Sequence, residues 1–124
     1  MLEYVAEITS FHAHIYYDLT TREMAERVRQ GLGARFEVQL GRWHDELIGP
    51  HPKSMYQVSF AINQFDRVVP WLMLHRENLD ILIHPNTGDA VADHTDYALW
   101  LGEKLPVKIE PLRRFNKSLL LVQT

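Results

Sequence analysis

The chain has 124 residues, 46% of them hydrophobic and 23% charged, with a formal net charge of −3 and no cysteine. That length favours a single domain over residues 1–124, large enough to bury a core without disulfides or a structural metal. The mildly acidic balance argues against a nucleic-acid surface, and the lack of cysteine excludes disulfide frameworks, thiolate metal sites and cysteine nucleophiles.

The opening stretch from Met1 to Glu7 lacks the basic-then-apolar order of a signal peptide. No apolar run approaches the roughly 20 residues that cross a bilayer, so a soluble, cytoplasmic protein is expected. Residues Tyr4 to Tyr17 read as a strand, or as a short lead-in followed by one. Within it Phe11, Ala13 and Ile15 share one face, and His12, His14 and Tyr16 share the other. Thr20 to Leu32 reads as a helix, capped by Thr20 or Thr21 and ended by Gly31 and Gly33, with Met24, Val28 and Leu32 at helical spacing. Arg35 to Trp43 alternates as a half-buried strand. His44 to Lys53, with two prolines and a glycine, forms an irregular loop. Met55 to Ile62 is again a strand, and Gln64 to Arg76 carries a helical apolar stripe interrupted by Pro70. Asp80 to His84 reads as a short strand ended by Pro85. Asp93 to Leu101 reads as a short helix capped by Asp93. The apolar Leu119 to Val122 adds a strand or packs on a partner.

The order strand, helix, strand, strand, helix, strand is the split βαβ, ferredoxin-like arrangement. We therefore expect an α+β fold: an antiparallel sheet, helices on one face, and the first and last strands adjacent. The uncovered face needs a cover, and a second copy of the chain supplies one, which makes a homodimer the expected assembly.

Seven histidines stand out, at positions 12, 14, 44, 51, 75, 84 and 94. Residues two apart on a strand share a face about 6.5–7 Å apart, so His12 and His14 are neighbours. Ile81 and Ile83 suit the core, which turns Leu82 and His84 to the same open face. Three imidazoles from adjacent strands then converge, and neutral imidazoles with open positions beside them make a workable catalytic metal site. A lone His-X-His pair equally fits two histidines satisfied by hydrogen bonds. The independently placed His84 shifts the balance toward His12, His14 and His84 as metal ligands. His51 sits between two prolines that stiffen its backbone, and His94 follows Asp93 at a helix start. A rigid turn and a simple cap are the plainer accounts of those two. His44 and His75 carry no functional reading, and the three tryptophans suit core or interface anchors.

The segments Phe11-His12-Ala13-His14-Ile15-Tyr16-Tyr17, Gly49-Pro50-His51-Pro52, Leu82-Ile83-His84-Pro85-Asn86-Thr87-Gly88 and Asp93-His94-Thr95 with Trp100-Leu101-Gly102 together resemble the DOPA 4,5-dioxygenase family. The resemblance runs from about residue 8 to residue 102, with the motifs in order. It implies extradiol cleavage of a catechol such as L-DOPA by O₂ at a non-haem metal, usually iron(II), in a ferredoxin-like subunit that commonly pairs. The matching positions are His12, His14, His51, His84 and His94. Geometry assigns the metal to His12, His14 and His84, and acid–base or substrate-binding work to His51 and His94. An all-histidine site departs from the usual 2-His-1-carboxylate set, so either a carboxylate completes it or three imidazoles suffice, and another divalent metal could serve. Two rivals stand beside this reading. One is a non-catalytic ferredoxin-like dimer binding a small aromatic ligand or metal; the other is a cofactor-free oxygenase of the α+β-barrel type.

Overall fold

The computed structural model describes residues 7–123, with side chains described for residues 7–117. Met1 to Ala6, including the start of the expected first strand and most of the stretch weighed as a leader, lie outside the described residues. The elements run β1 (Ser10–Tyr17), α1 (Arg22–Arg35), β2 (Gln39–Leu40), β3 (Ser54–Phe60), a 3₁₀ turn (Ile62–Gln64), α2 (Phe65–His75), β4 (Ile81–Asn86), α3 (Ala90–His94), β5 (Leu99–Leu101) and α4 (Glu110–Gln123). Five strands form one sheet in the order β2-β3-β1-β4-β5, and every pairing is antiparallel. The first four strands and the two long helices between them give the expected ferredoxin-like α+β arrangement, with β5 added at the edge.

Strand alternation builds the core. Ala13, Ile15 and Tyr17 of β1, Tyr56, Val58 and Phe60 of β3, and Ile81 and Ile83 of β4 pack in one cluster with Ala25, Val28 and Leu32 of α1 and Val68, Val69 and Leu72 of α2. The residues between them, His12, His14, Tyr16, Leu82 and His84, are thereby turned to the opposite face. The chain itself covers part of that face. Tyr16, Met55 and Leu82 form a second apolar cluster under Ala98, Trp100, Leu105 and Val107.

Several local expectations are corrected. Helix α1 runs through both glycines to Arg35, and the edge of the Trp71 indole packs on Gly31, where a Cβ would fall 2.5 Å from the ring. Gly31 is a close-approach residue, not a stop signal. The second strand shrinks to Gln39–Leu40 at the sheet edge. Pro70 stays inside α2 on its exposed side, where water can replace the missing donor. Strand β4 passes through Pro85, whose partner is Phe11. β5 pairs only with Ile81, Leu82 and Ile83, so Pro85 costs that strand no donor. The stretch read as one helix from Asp93 to Leu101 is instead α3 followed by the edge strand β5. Its cap is Asp89, which accepts from the Ala92 N–H at 3.2 Å. The tail is helical, α4, and not a strand; the side chains of Leu119 to Val122 lie outside those described. Among the described residues no helix is long and apolar enough to cross a membrane.

Candidate metal centre

Register sets the first pair of histidines. His12 stands directly opposite His84 across the β1–β4 ladder, and His14 lies two residues along the same face. Nε2 of His14 is 3.1 Å from Nε2 of His84, both side chains being buried. One ring nitrogen from each of His12, His14 and His84 falls within 4.8 Å of the others. Among the described residues no other group of three or more metal-ligating side chains comes together, and no carboxylate joins this one.

A loop and a short helix bring the remaining imidazoles. The loop between β2 and β3 places His51 against His14, ring centroids 4.3 Å apart. Helix α3 lays His94 on His84 at 4.1 Å and 5.9 Å from His14. All five expected site histidines therefore share one cluster. His44 does not join it; its backbone bridges to Met55 in both directions. His75 stacks on Trp71 at 4.7 Å at the end of α2.

Hydrogen bonds fix the tautomers. Nδ1 of His84 lies 2.8 Å from the Pro85 carbonyl, and Nδ1 of His94 lies 2.7 Å from the Ala90 carbonyl. A carbonyl only accepts, so both Nδ1 atoms carry protons and both Nε2 atoms present lone pairs. Nδ1 of His51 lies 2.8 Å from the Tyr16 hydroxyl. Nδ1 of His14 is buried without a partner.

Burial keeps the cluster uncharged. It pushes His84 down to about 3, with His94 adding repulsion and the Pro85 carbonyl opposing. Burial brings His51 to about 4, helped by His94 and His44. His14 is held well below the usual range, first by burial and then by the imidazoles around it. His12 and His94 are also lowered, burial again leading. Neutral imidazole is the form that binds a metal. Two nitrogens that each lie about 2.0–2.1 Å from one tetrahedral zinc ion sit about 3.3 Å apart. The His14–His84 spacing fits such an ion, and the orphaned Nδ1 of His14 is the kind of unsatisfied buried atom that marks a functional site.

Residues 11–111 match the Dopa 4,5-dioxygenase family. The chain belongs to that family. Among relatives, a DOPA 4,5-dioxygenase of Amanita muscaria is 32% identical over 117 residues, covering 86% of this chain and 51% of that protein. A 21.2 kDa uncharacterised protein of Botryotinia fuckeliana is 35% identical over 124 residues, covering 88% of this chain and 66% of its own. The chain thus spans about half to two thirds of these relatives. A crystal structure from Nostoc punctiforme, described as a candidate dioxygenase, is 68% identical with a TM-score of 0.86, over 87% of this chain and 94% of that one.

In this dioxygenase-family chain, sequence reasoning placed Tyr16 on the histidine face but not its bond to His51, which depends on the path of the loop. Asp93 was read as a cap. It is buried instead, accepting the Thr87 hydroxyl at 2.6 Å and the Thr87 N–H at 3.0 Å. That pins the last turn of α3 to the turn that follows β4 and so sets where His94 lies. The pairing of a buried Asp with a Thr in the preceding turn is a signal the sequence did contain.

Proposed function

We propose that the chain is a metal-dependent extradiol dioxygenase that opens the ring of a catechol, L-DOPA or a related dihydroxyphenyl compound, with O₂. The observation that carries this reading is the pair of facing Nε2 atoms on His14 and His84, 3.1 Å apart, with His12 beside them in an uncharged cluster. His12, His14 and His84 would hold iron(II), or another divalent metal. When bound, such an ion supplies Lewis acidity, electron transfer and a template for catechol and O₂ together. Family membership supports the reaction class; the substrate and the metal are our reading.

The chain's own groups divide the proton work. His94, its Nδ1 proton committed to the Ala90 carbonyl, presents Nε2 as an acceptor and takes a proton from a catechol hydroxyl. His51 is set up oppositely. The Tyr16 side chain is fully buried, and burial raises its pKa, so the phenol keeps its proton. Its hydrogen-bond partner is His51 Nδ1, and leaving that proton unpaired would be costly. Tyr16 therefore donates to Nδ1, which leaves the His51 Nε2–H as a hydrogen-bond donor to a ligand oxygen, and the proton taken up by His94 is the one returned as the ring opens. Acid–base help of this kind typically contributes about 10²–10⁴-fold. Both oxygens of O₂ end in the ring-opened product, so no external reductant is consumed.

The test is reconstitution with iron(II) without air, followed by catechol and oxygen. We expect stoichiometric O₂ uptake and a yellow ring-opened semialdehyde. Absence of turnover across L-DOPA, caffeate and protocatechuate would remove the reading. Full activity after chelation would favour the cofactor-free oxygenase.

A further inference from the structure

The two least buried members of the cluster are His12 and His94; His14, His51 and His84 are closed off. On the His12 side a cleft of about 620 Å³ opens between β1 and the β2–β3 edge, lined by Thr9, Ser10 and His12, by Glu37, Val38 and Gln39, and by Ser59, Phe60 and Ala61. That volume falls in the range of small-molecule sites. The single charged side chain in the lining is Glu37. It is exposed, and no hydrogen bond or ion pair among the described residues engages it. The polar groups at the floor are oriented differently. Ser10 Oγ accepts from Asn86 Nδ2 at 2.9 Å and Ser59 Oγ accepts from Gln57 Nε2 at 3.2 Å. Each serine thus keeps its own proton for an oxygen of a ligand. Thr9 spends its proton on the Asn86 carbonyl.

We infer that this cleft receives the side chain of the catechol and that Glu37 selects a side chain bearing an ammonium group over one bearing only a carboxylate. The inference rests on the ring-cleavage reading, because His12 joins the cleft to the proposed metal. A ring anchored beside His12 directs its substituent along the cleft toward the β2 edge. Among the lining residues it meets there one negative charge and no positive one. The wall between, Val38, Phe60 and Ala61, suits the hydrocarbon part of the substituent.

The experiment compares dopamine, 3,4-dihydroxyphenylacetate and 4-methylcatechol, whose substituents are cationic, anionic and neutral. For the iron-loaded protein kcat/KM is measured for each, and binding of each is followed by calorimetry without oxygen. We expect dopamine to be favoured over the acid. Glu37→Gln should shrink that preference about two- to fivefold, the effect of one exposed charge pair, and added salt should shrink it in the wild type. Glu37→Lys should turn the preference toward the acid. An amine-to-acid ratio that is the same in all three proteins overturns the inference while leaving ring cleavage standing. No turnover of any catechol overturns ring cleavage, and the anaerobic binding ratios still decide the role of Glu37.

Discussion

Two side chains with different tasks in the proposed chemistry, His14 and Tyr16, separate cleanly by experiment. His14 contributes a buried nitrogen 3.1 Å from that of His84, so His14→Ala should abolish stoichiometric metal binding in calorimetry while the far-ultraviolet dichroism stays native. Unchanged metal affinity would remove His14 from the ligand set. Tyr16 touches no ligand nitrogen in that pair; it reaches the site through His51. Tyr16→Phe removes a hydroxyl and keeps the ring that stacks on Trp100. The loss of one buried hydrogen bond should cost about 1 kcal/mol in chemical denaturation. Its signature is kinetic: kcat should fall by up to about 10² with KM and metal affinity held. A parallel loss of metal affinity would assign Tyr16 to the ligand shell instead. The residue scale is also where the sequence was most legible. Strand alternation put His12, His14 and His84 on one face, because a period of two leaves no freedom once Ala13, Ile15 and Ile83 are committed to the core.

Elements carry the remaining histidines, and here local sequence was a poorer guide. Helix α3 is only five residues long, too short to hold its own shape in isolation. It is placed by contacts from outside: Asp93 accepting both bonds from Thr87, and Asn116 of α4 accepting from the Ala90 N–H at 2.9 Å. Asp93→Ala should therefore cost about 1–3 kcal/mol, the penalty of leaving Thr87 groups unpaired. It should also lower kcat more than it lowers metal affinity, since His94 would lose its position and the three ligands would not. Equal losses of both would mean that α3 shapes the metal centre itself. The same dependence on distant contacts explains what the sequence concealed. Gly31 reads as a helix end, but the edge of Trp71 packs against it, and Pro85 reads as a strand end, but β5 stops short of it. The edge strand Leu99–Leu101 was read as helix because apolar spacing over so few residues does not separate the two periods. In each case the deciding partner is far away in the chain.

At the scale of the whole molecule, packing several imidazoles into one buried cluster makes stability depend on protons. In the unfolded chain each histidine titrates near 6.5; in the folded protein His84 is brought to about 3 and His51 to about 4, and His12, His14 and His94 are also lowered. Because the folded values are depressed, the unfolded state binds more protons as the medium is acidified. The contribution of these groups is complete above about pH 6.5 and is lost as pH falls through the folded values. The metal-free protein should therefore lose thermal stability steadily between about pH 6.5 and 4. A bound divalent ion raises stability by about 2.7 kcal/mol at a hundredfold excess over its Kd. It also meets a cluster that has already given up its protons. At pH 6 an exposed histidine site must release protons to bind an ion, whereas this one should release almost none, and its affinity should stay nearly level from pH 7.5 to 6. Calorimetric metal titration in two buffers of different ionisation enthalpy reads this directly. Matching heats at pH 6 are expected. Heats that differ by the equivalent of two or more protons per ion would show that the imidazoles are charged before the metal arrives, and that burial does not prepare the centre to receive it.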